Sequence, residues 1–166
     1  MIEKKPMVFI VMGVSGTGKS TIGKLLSQKL HIPFFDGDDF HPEANIKKMA
    51  SGNPLNDNDR YDWLIALNQL AKENKSNGAV IACSALKSSY RKILRKDMEP
   101  SPVFVYLEGT FELIKSRLEK RSSHFMPIDL LKSQFKTLEP PMEAIKVSIA
   151  LAPEEIIESI SKNIEP

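Results

Sequence analysis

Residues 13–20 run Gly13-Val14-Ser15-Gly16-Thr17-Gly18-Lys19-Ser20, and this G-x-x-x-x-G-K-[ST] spacing constrains the fold more than any other stretch of the chain. Before it stand six apolar residues at 7–12, which read as a strand buried on both faces; after it, 21–30 reads as a helix. Strand, glycine loop and helix in that order make a cradle for the phosphates of a nucleoside triphosphate. Gly13, Gly16 and Gly18 let the backbone curl so that successive N–H groups point inward, and the helix that follows adds the positive end of its dipole. Lys19 brings a point charge to the β and γ phosphates, Ser20 offers its hydroxyl to Mg²⁺, and Ser15, Thr17 and Thr21 complete the nucleotide-binding set. A Gly/Ser turn with a solvated lysine is the plainer reading, and the flanking strand and helix weigh against it.

The composition removes several classes of function. A chain of 166 residues fits one domain, 1–166, and can bury a core without staples. The single cysteine, Cys83, has no internal partner for a disulfide, so a reducing, cytoplasmic setting is expected. The first apolar run is too short for a membrane span and leads straight into the loop, so neither a membrane nor a signal peptide is expected. A net charge of +2, without a basic stripe interleaved with aromatics, gives no reason to expect nucleic acid as a partner.

Along the chain, residues 32–35 read as a second strand, which ends in Asp36-Gly37-Asp38-Asp39. Open α/β sheets bind ligands beyond the carboxyl ends of their strands, so this acidic group stands where ligand chemistry belongs; turn or cap duty remains the alternative for any one aspartate. Residues 41–51 read as a helix opened by Pro42, with Ile46 and Met49 turned inward. Residues 60–75 read as a long helix with Trp63, Leu64, Leu67, Leu70 and Ala71 on its core face. Arg60 lies at the start of that helix, where a cation gains nothing from the dipole, so it either binds an anion or pairs at the surface with Asp57 or Asp59. A third strand at 78–83 leads into Lys87 and Arg91, four apart and expected on one helical face, where they hold an anionic substrate or are merely solvated. Cys83 reads as core.

Strand four (103–107), a helix at 110–120 capped by Thr110, a further helix ending before Pro140, strand five (145–151) and a last helix from Pro153 follow. Arg117, Lys120, Arg121 and His124 gather near the end of the 110–120 helix. The helix dipole explains such cations by itself, but next to a phosphate loop Arg117 and Arg121 suggest a lid, about 117–140, with Arg121 stabilising charge on a transferred phosphoryl group. The fold class is α/β: a five-stranded parallel sheet flanked by helices, of the phosphate-loop kinase kind with a helical lid. The Asn-Lys-x-Asp base-reading motif of GTPases and the Asp-Glu strand end of motor ATPases are both missing, which leaves a small phosphotransferase.

Three motifs then carry a family resemblance. Asp36-Gly37-Asp38 with Phe40-His41-Pro42, Asn45, Lys48-Met49, Gly52, Pro54-Leu55, Asp57, Asp59-Arg60 and Trp63-Leu64 resembles the substrate segment of the gluconokinases. Cys83-Ser84-Ala85-Leu86-Lys87 with Tyr90-Arg91 resembles their third-strand motif, and Arg117, Arg121, His124-Phe125, Ser133-Gln134-Phe135 and Leu138-Glu139 resemble their lid. The likeness runs from Val8 to Ile157. It implies a fold similar to shikimate and nucleoside-monophosphate kinases and Mg²⁺-dependent transfer of the ATP γ-phosphoryl to the 6-hydroxyl of D-gluconate. It also admits a homodimer. By similarity to the Asp-x-Asp of shikimate kinases, Asp38 is expected to receive the hydroxyl hydrogen bond and Asp36 to hold a water on Mg²⁺. Lys19, Asp38 and Arg121 are thus the expected catalytic residues. Arg60 is the first choice for the substrate carboxylate, then Lys87 and Arg91, with His124 a lid contact or packing, and His41 either on a hydroxyl or only a cap. The chain departs from the family pattern at Ser123, where glycine is common, and at Ser148, where an acidic residue is expected. Another small-molecule kinase, shikimate-like, or a non-catalytic nucleotide switch are the alternatives.

Overall fold

The structure is a computed structural model that describes residues 6–121 and 127–164. Five parallel strands, β1 (Val8–Met12), β2 (Phe34–Asp36), β3 (Ala79–Ala82), β4 (Val103–Glu108) and β5 (Ile145–Ser148), lie in the order β2-β3-β1-β4-β5. The α/β fold with a parallel five-stranded sheet is therefore as the strand and helix alternation requires. Parallel neighbours need crossover connections, and helices supply them: α1 (Lys19–Leu30), α2 (Glu43–Ala50), α3 (Asp57–Glu73), α4 (Ser88–Leu94), α5 (Phe111–Glu119) and α6 (Ile128–Thr137), with α7 (Pro153–Ile164) following the last strand.

β1 is buried at every residue and is flanked by β3 and β4, with Ile10 opposite Ile81 on one side and Phe104 on the other. The chain leaves β1 for β2 on one side of the sheet and later crosses to β4 on the other, so the crevice at the carboxyl end of β1 lies where the strand order reverses. The phosphate loop fills that crevice. One layer of the core is α1 against α7 and the sheet; α3 and α4 pack together elsewhere over it. Gly23 has a packing reason: a Cβ there would stand 2.5 Å from the Phe34 ring.

Several boundaries are set by caps. Thr110 accepts from Leu113 N–H at 3.2 Å and starts α5 one residue later than its own position. Asn56 and Asp59 form a capping box that starts α3 at Asp57, three residues earlier than periodicity alone suggests. In α2 the expectation for Ile46 fails: its side chain is 52% exposed, and Asn45 is the buried residue. The reason is chemical, since Asn45 Nδ2 donates to the Asp59 carbonyl at 2.7 Å and Lys48 reaches the Asp59 carboxylate at 2.6 Å. The helix is oriented by polar bonds to α3, and its apolar residue is left outside. Among the described residues, no helix is long and apolar enough to cross a membrane.

Candidate active site

The phosphate loop is built by backbone conformation. Gly16 and Gly18 have φ of 84° and 90°, left-handed values that side chains resist, and Gly13 would place a Cβ 2.9 Å from the Leu107 carbonyl. Thr17 is buried, and its hydroxyl donates to Val14 O at 3.0 Å, so its side chain braces the loop from within. Lys19 Nζ also donates to Val14 O, at 3.0 Å, folding back over the loop. Loss of water within the cleft lowers the Lys19 pKa, Arg121 adds to that, and Asp38, Cys83 and Asp36 oppose it. Thr21 is exposed on the first turn of α1.

Ser20 Oγ donates to Asp36 Oδ2 at 2.9 Å, and Asp36 Oδ1 accepts from Asp38 N–H at 3.0 Å, capping a 3-10 turn over Gly37–Phe40. Gly37 is required between the two aspartates, because a Cβ there would meet the Ala82 carbonyl at 2.3 Å. Trp63 of α3 fixes the same turn by donating its indole N–H to Gly37 O at 2.8 Å. The hydroxyl of Ser20 and the carboxylate of Asp36 are hard oxygen donors and fit a Mg²⁺ ion that completes its shell with waters and substrate phosphates. Among the described residues no group of three or more His, Cys, Asp or Glu is placed to hold a metal ion.

Asp38 stands in the cleft with its side chain 84% exposed, yet protein walls surround it closely enough to push its pKa up, with Asp36 and Asp39 adding to the effect and Lys19 opposing it. His41 lies 3.9 Å from Asp38 and is stacked on Trp63 with ring centroids 4.0 Å apart. Burial first and Arg60 second lower the His41 pKa to about 4, so the ring is neutral at neutral pH and forms no ion pair. Asn45 Nδ2, 3.3 Å from His41 Nδ1, donates to it and leaves the ring proton on Nε2, facing Asp38.

Arg60 is buried and makes neither of the surface ion pairs open to it from sequence. It donates to the Tyr90 hydroxyl at 2.7 Å, and Tyr90 donates in turn to Asp57 at 2.5 Å. Lys87 joins from the other side, 3.0 Å from Asp57. The Tyr90 and Lys87 hydrogen bonds hold the Asp57 pKa down, and the Asp57 bond holds that of Lys87 up. Arg60, Lys87, Asp57, Asn56, Asn58 and Thr137 line a cavity of about 420 Å³. Arg91 does not share it. Its guanidinium donates to Ala85 O at 2.7 Å and Glu139 O at 2.9 Å, and it borders a separate cavity of about 300 Å³. Lys87 precedes α4 as its N-cap, so the helical spacing that paired these two cations does not apply.

On the lid side, Arg117 donates to Ile149 O at 2.5 Å, tying α5 to the exit of β5. Arg121 is exposed just past α5, near enough to Lys19 to act on its charge. His124, with Ser123 and Phe125, lies outside the described residues. Periodicity gave no role to Asn45, Tyr90 and Gln134, which the family resemblance included only as motif residues and whose side chains all make bonds within this region. The available signal was a polar group on a face otherwise apolar: Gln134 falls among Leu130, Leu131, Phe135 and Leu138.

A phosphate loop on β1–α1, an Asp-Gly-Asp turn on β2 and a helical lid define a small-molecule kinase of the shikimate-kinase type, and the shikimate kinase family model matches residues 15–163. The thermoresistant gluconokinase of Escherichia coli K12 is 47% identical over 81% of this chain and 77% of its own length. The gluconokinase of Gluconobacter oxydans is 42% identical over 97% of this chain and 93% of its own. The crystal structure of a gluconokinase from Sinorhizobium meliloti 1021 superimposes with a TM-score of 0.89 at 38% identity, covering 98% of this chain and 93% of that one. The chain belongs to the gluconokinase family, and it is an enzyme, a phosphotransferase of the kinase class.

Proposed function

We propose that this gluconokinase transfers the γ-phosphoryl of ATP to the 6-hydroxyl of D-gluconate, giving 6-phospho-D-gluconate and ADP, with the following division of labour. The free N–H groups of the loop and Lys19 bind the β and γ phosphates, whose charge joins that of Asp38 and Asp36 in offsetting the loss of water around the Lys19 ammonium. Ser20 and Asp36 would hold Mg²⁺, which would supply charge neutralisation to the phosphates when bound. Asp38 accepts the proton of the 6-hydroxyl as its oxygen forms the new bond to phosphorus and the bond to the β-phosphate oxygen breaks, leaving ADP. Neutral His41, held by Asn45 and Trp63, turns an N–H rather than a positive charge toward Asp38 and the substrate hydroxyls. Arg121 adds positive charge on the transferring group.

The observation that carries the substrate side is the cavity lined by Arg60 and Lys87. Arg60, together with Lys87 paired to Asp57 and the Asn and Thr groups around them, suits a carboxylate on a polyol chain. Arg60 also connects this cavity to the catalytic turn, since it is close enough to His41 to affect its charge. Arg91, committed to two backbone carbonyls, is assigned a positioning role instead of substrate contact. Arg117 likewise acts through its bond to Ile149 O. A cytoplasmic setting is part of the reading, supported by the free, buried Cys83, whose thiol burial pushes up to about 12.

The test is ADP release with Mg²⁺ and ATP against D-gluconate, other aldonates, shikimate and nucleoside monophosphates in parallel. Turnover with gluconate well above all others is expected. Turnover only with a different acceptor would overturn the substrate assignment and keep the nucleotide site.

A further inference from the structure

Helix α6 and its exit touch three parts of the site between Gln134 and Glu139. Leu131 anchors it in the core, and the Phe135 ring meets Phe111 of α5 edge-on at 5.6 Å. Between these two apolar contacts stands Gln134, whose Oε1 accepts the backbone N–H of Ser15 in the phosphate loop at 2.8 Å. Three residues on, Thr137 forms part of the wall of the cavity that contains Arg60 and Lys87. Glu139 then closes onto the β3–α4 turn: its N–H donates to Leu86 O at 2.7 Å, its carboxylate accepts from Ser88 N–H at 2.8 Å, and its carbonyl accepts from Arg91. Lys87 comes from that same turn. Helix α6 and the two residues that follow it thus run from the phosphate loop to the wall of the cavity that contains Arg60 and Lys87.

Packing alone does not call for glutamine at this position, because an apolar side chain would serve between Leu131 and Phe135. The amide oxygen takes a backbone donor of the loop, which an apolar side chain could not do. We propose that Gln134 is a positioning residue for the acid substrate: by docking α6 on the Ser15 amide it fixes the distance between the phosphate loop and the Thr137–Lys87 side of the cavity. Its loss therefore acts on the substrate that it does not touch. The nucleotide, whose loop it does touch, keeps its other N–H groups and Lys19.

The inference rests on the assignment of ATP and gluconate above, and the experiment separates the two. Gln134→Met keeps the length and bulk of the side chain and removes the acceptor; Gln134→Glu keeps an acceptor oxygen and adds charge. In Q134M the KM for gluconate is expected to rise about five- to twentyfold, the loss of one hydrogen bond to a part-buried donor, while the KM for ATP stays within about twofold. Amide exchange in segments 13–20 and 128–139, measured on the full chain without ligand, is expected to quicken in the same variant. In Q134E, exchange protection and the gluconate KM return toward wild type, and the KM for ATP rises because a carboxylate faces the triphosphate. Equal increases of both KM values in Q134M, or unchanged exchange and unchanged gluconate KM, would overturn the proposal. A wild-type enzyme silent on gluconate would remove the substrate assignment, and the exchange measurements would still decide whether Gln134 docks α6.

Discussion

The phosphate loop and the cavity lined by Arg60 and Lys87 are made in opposite ways. The loop is eight consecutive residues whose function resides in backbone N–H groups, held by left-handed glycines and internal bonds to Val14 O. The cavity is made of side chains from the start of α3, the β3–α4 turn and the end of α6, brought together by tertiary packing. A backbone cradle tolerates little change in conformation and recognises what every nucleotide shares. A side-chain cavity can alter its ligand without altering the fold, which is where members of one kinase fold can differ in acceptor.

That contrast predicts different failures in the two regions. The largest is expected for Lys19→Ala, where loss of the phosphate cation should lower kcat by about a thousandfold with the fold intact, read as ADP release alongside circular dichroism. Retained turnover would break the assignment of the loop. Asp38→Asn should lower kcat by about a hundredfold or more with a small change in either KM, measured by steady-state kinetics. Arg60→Ala should raise the KM for gluconate about tenfold to a hundredfold and leave that for ATP nearly unchanged, since it removes a charge-assisted contact from the cavity alone. Equal effects on both substrates would mean that the two regions are not separable.

The smallest effect concerns pH. His41 has its pKa lowered to about 4 from 6.5, so between these values the unfolded chain takes up a proton that the folded one refuses. Stability should therefore fall as pH drops through that window, and be fully present above about 6.5. His41→Gln should flatten the dependence, measured by urea unfolding at pH 7 and at pH 4.5. An equally steep loss in the variant would assign the acid sensitivity elsewhere.

How much was legible in the sequence follows the same division. The strands and helices were readable because burial on both faces gives apolar runs and burial on one face gives helical spacing; Trp63, Leu64, Leu67, Leu70 and Ala71 are all buried as their spacing requires. The helix starts were less readable, since Asn56 with Asp59 forms a cap only when their side chains reach back to the backbone. Ile46 was misread because the inward face of α2 is set by Asn45 and Lys48 bonding to a different helix. Arg91 and Lys87 were grouped by a helical spacing that stops at Ser88. Gln134 carried a visible signal, a polar residue on an apolar face, but its partner lies 119 residues away.

The sequence by itself determined the phosphate loop, the order of strands and helices and the presence of two carboxylates beside the loop, because each of these depends on residues close together in the chain. Only the tertiary structure decided that Arg60 is bonded to the Tyr90 hydroxyl, that His41 is held neutral, that Arg91 is spent on carbonyls and that Gln134 of α6 bonds to the loop. Those are matters of which distant groups share a space and how much water reaches them, and neither follows from spacing along a chain.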